Sequence, residues 1–147
     1  MTLDYNGKVV IVTGAGGGLG RCHALEFARR GAKVVVNDLG GAVDGSGGSS
    51  EAADKVVEEI KATGGEAMSN GSSVTDDAGV ANMIQQTMDA YGRIDVLVNN
   101  AGVLRDKSFA KMEIADFDFV VDVHLFGTMK PTKAVWPIMK EQGYGRI

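Results

Sequence analysis

The sequence predicts an α/β protein in which a parallel sheet is covered by helices on both faces. Short apolar runs alternate with helical patterns along the chain, and the first run is Val9-Val10-Ile11-Val12. Apolar runs without polar alternation are typical of parallel strands that are buried on both faces. Right-handed crossovers through the intervening helices then give the strand order 3-2-1-4.

The predicted elements follow one another in strict alternation. Helices end near glycines, as at Gly31, Gly64 and Gly92, which favour the C-terminal cap. We predict strands over 8–12, 33–37, 66–69 and 94–98, and helices over 18–30, 50–63, 76–91 and 112–141. The first helix is predicted to carry one stripe of Leu19, His23 and Phe27, and the last is predicted to carry another of Phe117, Val120, Val121, His124 and Leu125.

The 147 residues fit one domain, without a boundary or an internal repeat. Residues Gly145-Arg146-Ile147 resemble the start of a fifth strand. We therefore expect residues 1–147 to form the N-terminal part of a fold that is truncated after about four strands.

A glycine-rich segment, Thr13-Gly14-Ala15-Gly16-Gly17-Gly18-Leu19-Gly20, lies between the first strand and the first helix. The second strand ends at Asn37-Asp38, and Asp38 stands 18 residues past Gly20. A strand, a glycine turn, a helix, a strand and an acid in this order predict a dinucleotide site on a Rossmann-type, doubly wound sheet. Glycines let backbone N–H groups approach a pyrophosphate, and the carboxylate accepts hydrogen bonds from the adenosine ribose.

Composition excludes several classes of function. The formal net charge of −4 disfavours nucleic acid as a partner. No apolar run approaches the ~18 residues of a membrane span, and the N-terminus lacks the pattern of a signal peptide. A single cysteine, Cys22, suits a reducing compartment and is expected to be a small packed side chain. Two histidines and one cysteine without ligand spacing predict no metal site.

Two motifs together resemble the short-chain dehydrogenase/reductase family. They are Thr13-Gly14-x-x-x-Gly18-x-Gly20 and, after the fourth strand, Asn99-Asn100-Ala101-Gly102, and the resemblance covers the whole chain. Segments 37–41, 92–95 and 102–109 are similar to the (3R)-hydroxyacyl-CoA dehydrogenases of peroxisomal multifunctional enzymes and their bacterial relatives. The resemblance implies an oxidoreductase acting on a secondary alcohol or ketone, with a 3-hydroxyacyl-CoA as one candidate substrate. It also implies a homo-oligomer formed through the last helix, in the cytoplasm or, in a eukaryote, the peroxisome.

By this resemblance the cofactor-binding residues are Gly14, Gly18, Leu19, Gly20, Asp38, Ser73, Val74, Asn99, Ala101 and Gly102. The three glycines of the first motif would line the pyrophosphate, and the second motif would hold the ribose beside the nicotinamide. At the adenine pocket the family often has Asp-Val where this chain has Ser73-Val74, so a serine hydroxyl would replace a carboxylate. Asp38 would repel the 2′-phosphate of NADP, and no Arg or Lys directly follows it, so NAD is favoured over NADP.

The family's catalytic Tyr-x-x-x-Lys pair is not among these 147 residues. In the family that pair lies past the fifth strand. His124 stands where the family frequently places an Asn that feeds a proton relay, and two roles are open for it: a relay residue or a hydrogen-bonded core histidine. We expect the chain alone to lack turnover and to be unstable, aggregated or rescued by self-association.

Other functions compete with this interpretation. The alternative is a non-catalytic nucleotide-binding fragment. The motif spacing disfavours a methyltransferase, and the absence of Gly-Lys-Ser/Thr excludes a P-loop enzyme. The long Gly/Ser-rich loop over 40–48 is predicted to cover the adenosine, to reach an acyl-CoA tail, or to be solvated.

Overall fold

The computed structural model describes residues 3–41, 44–45 and 51–147. One parallel sheet has the order β3-β2-β1-β4, as predicted, with β1 at Val9–Thr13, β2 at Lys33–Asn37, β3 at Glu66–Asn70 and β4 at Val96–Val98. The helices are α1 (Gly18–Arg29), α2 (Glu51–Ala62), α3 (Asp77–Tyr91), α4 (Ile114–Val121) and α5 (Gly127–Gln142). Within these ranges, no helix is both long and apolar enough to cross a membrane.

Two apolar layers cover the sheet, one on each face. Successive strand residues point to opposite faces, so Val10 packs toward α1 and α2 while its neighbour Ile11 packs toward α3 and α5. The α3–α5 side contains larger side chains, among them Met83, Ile84 and Met139. The sheet is therefore buried on both faces, which explains the continuous apolar runs.

The predicted apolar stripe of α1 is wrong. Leu19 and His23 are exposed, and the residues that face the sheet are Gly20, Ala24 and Ala28. Small residues are needed there because α1 packs closely against the sheet directly after the glycine turn. Cys22, expected to be packed, is exposed for the same reason, since it lies off this narrow face.

The last helical region is not the single helix predicted over 112–141. A 3₁₀ turn at Phe109–Lys111 precedes α4, and a π-helical turn at Asp122–Phe126 joins α4 to α5. A π turn takes more residues than an α turn, so it shifts the phase of the helix. The predicted stripe is consequently not a buried face: Phe117 and Leu125 are exposed, and the buried positions include Val123, Val135 and Met139.

The end of the chain lies along the outer edge of β4. Arg146 pairs in parallel with Val96, and its N–H and C=O bond to Asp95 O and Leu97 N, each at 3.0 Å. The predicted start of a fifth strand is confirmed in its position beside β4.

A buried carboxylate ties the amino ends of two strands together. Asp95 is fully buried, and its oxygens accept hydrogen bonds from Val9 N at 2.9 Å and from Arg93 Nε and Nη2 at 2.7 Å each. Lys8 Nζ lies 3.4 Å away. Burial by itself raises the pKa of Asp95, but these hydrogen bonds and the two cationic charges outweigh it and hold the pKa below its ordinary value.

We predict that Asp95→Asn lowers the free energy of unfolding by about 2 kcal/mol, because charge-assisted hydrogen bonds in a buried site are lost. A lowered folded-state pKa stabilises the fold above the ordinary pKa of aspartate, and that stabilisation is lost as the pH falls through the lowered value. Urea denaturation at several pH values measures both effects. Asp118→Asn, at an exposed position of α4, is the control and should change little. A difference between wild type and Asp95→Asn that stays constant from pH 7 to pH 2 would contradict the assignment.

Candidate functional site

The two sequence motifs lie side by side at the carboxyl edge of the sheet. Thr13 Oγ1 accepts hydrogen bonds from Asn100 N at 3.1 Å and Ala101 N at 3.0 Å. The Asn100 amide donates in return to Thr13 O and Gly14 O, each at 2.9 Å. Neither residue was predicted as a positioning group, although each stands in a motif at the end of one of two adjacent strands.

The motif glycines have different surroundings. Gly14 has φ +61°, and a Cβ on it would lie 2.7 Å from Ala101 Cα, so this glycine lets the two turns touch. A Cβ on the buried Gly20 would collide with the Gly14 carbonyl and the Asn100 amide. Gly18 has φ +52° and faces open space. The structure thus places Gly14 and Gly20 at packing contacts, and leaves Gly18 facing open space.

Helix α1 begins at this turn with its first amides uncapped by any side chain. Its N-cap is Gly17, and no acidic residue stands in its first turn. The exposed Leu19 lies in that turn. The first amides of a helix have no partner within the helix and carry a partial positive charge, so this end favours an anionic group.

Asp38 joins the glycine turn to the loop that follows β2. Its Oδ2 accepts from Gly16 N at 2.8 Å, and its Oδ1 accepts from Gly40 N at 2.6 Å. An ionised carboxylate has about four acceptor positions, so each oxygen retains one for a further donor. The half-buried carboxylate therefore has both the place and the capacity to accept from a vicinal diol.

A buried amide network fixes the loop after β3. Asn37 Nδ2 donates to Asn70 Oδ1 at 2.8 Å and to Ser72 O at 2.9 Å, and Asn70 Nδ2 donates to Gln86 Oε1 at 2.8 Å. Asn37 directly precedes Asp38. The network therefore holds this loop in place beside the carboxylate, a role that was not predicted from the sequence.

The predicted adenine residues lie in that loop. The Ser73 hydroxyl is 2.9 Å from Thr75 Oγ1 and accepts from Thr75 N at 3.2 Å, so it stabilises its own turn. Val74 is buried against the start of α5 at Gly127. Both residues lie on the β2–β3 side of Asp38, and their contact with an adenine stays a prediction.

The second motif presents Asn99 and Gly102 on the β4 side. Asn99 Nδ2 donates to Thr132 Oγ1 at 3.0 Å, whereas its buried Oδ1 accepts no hydrogen bond from any described residue. A buried acceptor without a partner costs about 1–3 kcal/mol. A hydrogen-bond donor to Asn99 Oδ1, in addition to the described residues, would therefore stabilise the protein.

His124 lies in the π-helical turn and covers the second motif. Its Nε2 is 3.1 Å from Val103 N and 2.9 Å from Val103 O. A Cβ on Gly102 would lie 2.8 Å from His124 Cε1, so the missing side chain at Gly102 lets the imidazole approach the turn. His124 is exposed, and the core-histidine alternative is therefore wrong.

Two described residues of the long loop after β2 reach the β4 side. Asp44 O accepts from Arg105 Nε at 2.7 Å, and Gly45 packs so closely on Phe119 that a Cβ would lie 2.5 Å from its ring. Residues 42–43 and 46–50 lie outside the described residues, so the contacts of this loop are known only at Asp44 and Gly45.

Several known proteins resemble the chain over nearly all of its length. The sequence profile of the family described as short chain dehydrogenase matches residues 8–147. Peroxisomal multifunctional enzyme A of Dictyostelium discoideum is 57% identical over 147 residues, which make up 100% of this chain and 33% of that protein. The crystal structure of a short chain dehydrogenase from Mycobacterium avium has a TM-score of 0.82 at 49% identity, over 95% of this chain and 49% of that one.

A second solved structure is a 7α-hydroxysteroid dehydrogenase complexed with NADH and 7-oxo glycochenodeoxycholic acid. Its TM-score is 0.87 at 33% identity, and the match covers 98% of this chain and 54% of that one. The chain thus spans about a third of the length of the Dictyostelium protein and about half of each solved chain.

We predict that Gly20→Ala destabilises the protein by about 2 kcal/mol or more, because the added methyl meets backbone and a fixed amide that cannot move aside. Gly17→Ala is the matched control: it makes the same chemical change three residues earlier, at φ −163° and in open space. Thermal unfolding of both variants measures the difference. Equal melting temperatures for the two would contradict the packing role of Gly20.

Proposed function

The chain belongs to the short-chain dehydrogenase/reductase family, and on that basis we propose that it forms the cofactor-binding part of an NAD-dependent oxidoreductase acting on a secondary alcohol or ketone. One observation carries the proposal. The uncapped N-terminus of α1, the open face of Gly18 and the carboxylate of Asp38 lie along one edge of the sheet, in the order in which a dinucleotide presents its pyrophosphate and adenosine ribose.

The residues fit the cofactor at each of its parts. Gly18 and the first amides of α1, including that of Leu19, would hold the pyrophosphate, and Asp38 would accept from the adenosine ribose. Ser73 and Val74 would line the adenine. Asn99, Ala101 and Gly102 would hold the nicotinamide ribose. Gly14 and Gly20 would allow the close packing that holds the pyrophosphate-binding turn in place. When bound, a nicotinamide dinucleotide accepts or donates the hydride.

The preference for NAD over NADP follows from charge. Asp38 faces the ribose position with its oxygens already oriented by Gly16 N and Gly40 N. A 2′-phosphate would bring negative charge against this carboxylate, whereas a 2′-hydroxyl would donate to it. The geometry supports NAD as the cofactor.

Transfer of the substrate's hydroxyl proton needs residues other than those that bind the cofactor. Oxidation of an alcohol requires a base for the hydroxyl proton. We propose His124 as the relay residue, because its exposed imidazole contacts the Gly102-Val103 backbone beside the nicotinamide position. The Tyr-x-x-x-Lys pair of the family is not present among residues 1–147, so we propose that these residues alone bind the cofactor without turnover. A turnover assay of the whole protein with NAD and a 3-hydroxyacyl-CoA separates the proposed oxidoreductase, which turns the substrate over, from the alternative, a nucleotide-binding protein without catalysis.

Substrate, partners and compartment are part of the same proposal. The proposed substrate is a small molecule, with a 3-hydroxyacyl-CoA as the candidate, and the name of the Dictyostelium relative supports a peroxisomal compartment. The proposed compartment is the cytoplasm or, in a eukaryote, the peroxisome. A homo-oligomer through the last helical region is proposed because Phe117, Leu125, Met129 and Trp136 expose apolar surface there.

We predict that the protein binds NAD more tightly than NADP, and that Asp38→Ala reduces this preference about tenfold, because it removes both the acceptor for NAD and the repulsion of NADP. Isothermal titration with each cofactor gives the two dissociation constants. Asp38→Asn keeps the size of the side chain without its charge and should also reduce the preference. Equal affinity of the unchanged protein for the two cofactors would show that the role given to Asp38 is wrong.

We predict that Gly18→Val weakens NAD binding by more than about tenfold, because a branched side chain would fill the open space in front of the turn and oppose its positive φ. Gly92→Val is the matched control. Gly92 also has a positive φ, +71°, and open surroundings, but it ends α3 away from the motifs. Both variants should lose stability, and only Gly18→Val should lose NAD affinity in the same titration. If Gly18→Val retains full affinity, the glycine turn is not part of the site.

A further inference from the structure

A cavity of about 340 Å³ lies between α1 and α2, directly beside Asp38. Its walls include Gly16 and Gly40, whose amides bind the two oxygens of that carboxylate. If the adenosine ribose lies at Asp38, a group attached to its 2′-oxygen would point past the carboxylate into this cavity. The cavity is therefore where the 2′-phosphate, the group that distinguishes NADP from NAD, would contact the protein.

Two cations line the cavity, and a glutamate of α2 engages each of them. Arg21 binds Glu59 through two parallel hydrogen bonds, one of them Nε to Oε1 at 3.0 Å, and Lys55 Nζ is 2.7 Å from Glu51 Oε1. Hydrogen bonding from Arg21, and then its charge, lower the pKa of Glu59. Glu59 is thus an ionised partner whose two oxygens accept from Nε and Nη2 of the Arg21 guanidinium.

The pair matters because an arginine fork is the side chain best suited to bind a phosphate. Arg21 is the first residue after the glycine motif, and it lines the same cavity as Gly16 and Gly40. Arg21 and Lys55 against Glu51 and Glu59 leave the lining neutral, and the adjacent carboxylate of Asp38 adds one negative charge. A 2′-phosphate entering here would have to displace Glu59 from Arg21 while that carboxylate stays nearby.

We infer that Glu59 is a specificity-determining residue for the cofactor: by occupying the Arg21 guanidinium, it denies a 2′-phosphate the strongest donor in the cavity. This inference rests on the proposed NAD-binding function. Asp38 and Glu59 would disfavour NADP in two different ways. Asp38 repels the 2′-phosphate, and Glu59 occupies the Arg21 guanidinium that would otherwise bind that phosphate.

The test is Glu59→Ala in the otherwise unchanged protein, titrated with NADP and with NAD. Freeing the guanidinium should tighten NADP binding about threefold to tenfold, because a charged hydrogen-bond donor becomes available, and should leave the dissociation constant for NAD within about twofold. Alanine is the best helix former, so α2 is expected to remain folded, which circular dichroism checks.

The matched control is Glu58→Ala. Glu58 precedes Glu59 on α2, pairs with Lys61 at 3.4 Å and does not line the cavity. Its removal changes the net charge of the protein equally, so any general electrostatic effect on NADP appears in both variants. The double variant Glu59→Ala/Arg21→Gln should lose the gain, because the freed cation is then absent.

The outcomes separate the inference from the function on which it rests. If NAD binds and Glu59→Ala does not tighten NADP binding beyond Glu58→Ala, the inference is overturned and the proposed function stands. A gain that persists in the double variant also overturns it. If neither the unchanged protein nor the variants bind NAD, the proposed function fails and the inference fails with it.

Discussion

The hydrogen bonds between Thr13 and Asn100 are the constraint on which the site depends. They join the turn after β1 to the turn after β4 through one hydroxyl and one amide. Gly14 and Gly20 have to be glycine because the turns held in this way leave no room for a side chain. The same contact fixes the start of α1 relative to Gly102 and His124. A dinucleotide bridging the two turns would therefore meet a surface that is already assembled.

Around this fixed geometry, charge is distributed asymmetrically along the sheet edge. The uncapped start of α1 offers positive partial charge near the centre. On the β2 side, the carboxylate of Asp38 is held by two amides, and the nearby Arg21 and Lys55 are neutralised by glutamates. In the proposed function, this edge would attract a pyrophosphate at one place and disfavour a further phosphate a short distance away. Shape and charge would then act together in selecting the ligand.

Much of the fold was predictable because its signals are local. Strand order followed from apolar runs such as Val34-Val35-Val36 and from right-handed crossovers, and both turns of the site were found by their motifs. The prediction failed where packing overrides periodicity. In α1, the close approach to the sheet selects Gly20, Ala24 and Ala28 over the larger Leu19 and His23. In the last helical region, the π turn at Asp122–Phe126 changes the phase that a uniform helix would have.

The sequence by itself determined the order of the elements, the two motifs and the acid after β2, because each depends on neighbours within a few residues or on regular spacing. Only the tertiary structure decided what these residues contact. Thr13 and Asn100 stand 87 residues apart, and Arg21 and Glu59 stand 38 apart. The exposure of His124 depends on the fit of the π turn over Gly102. Contacts of this kind arise from packing between distant segments, which no local pattern in the sequence records.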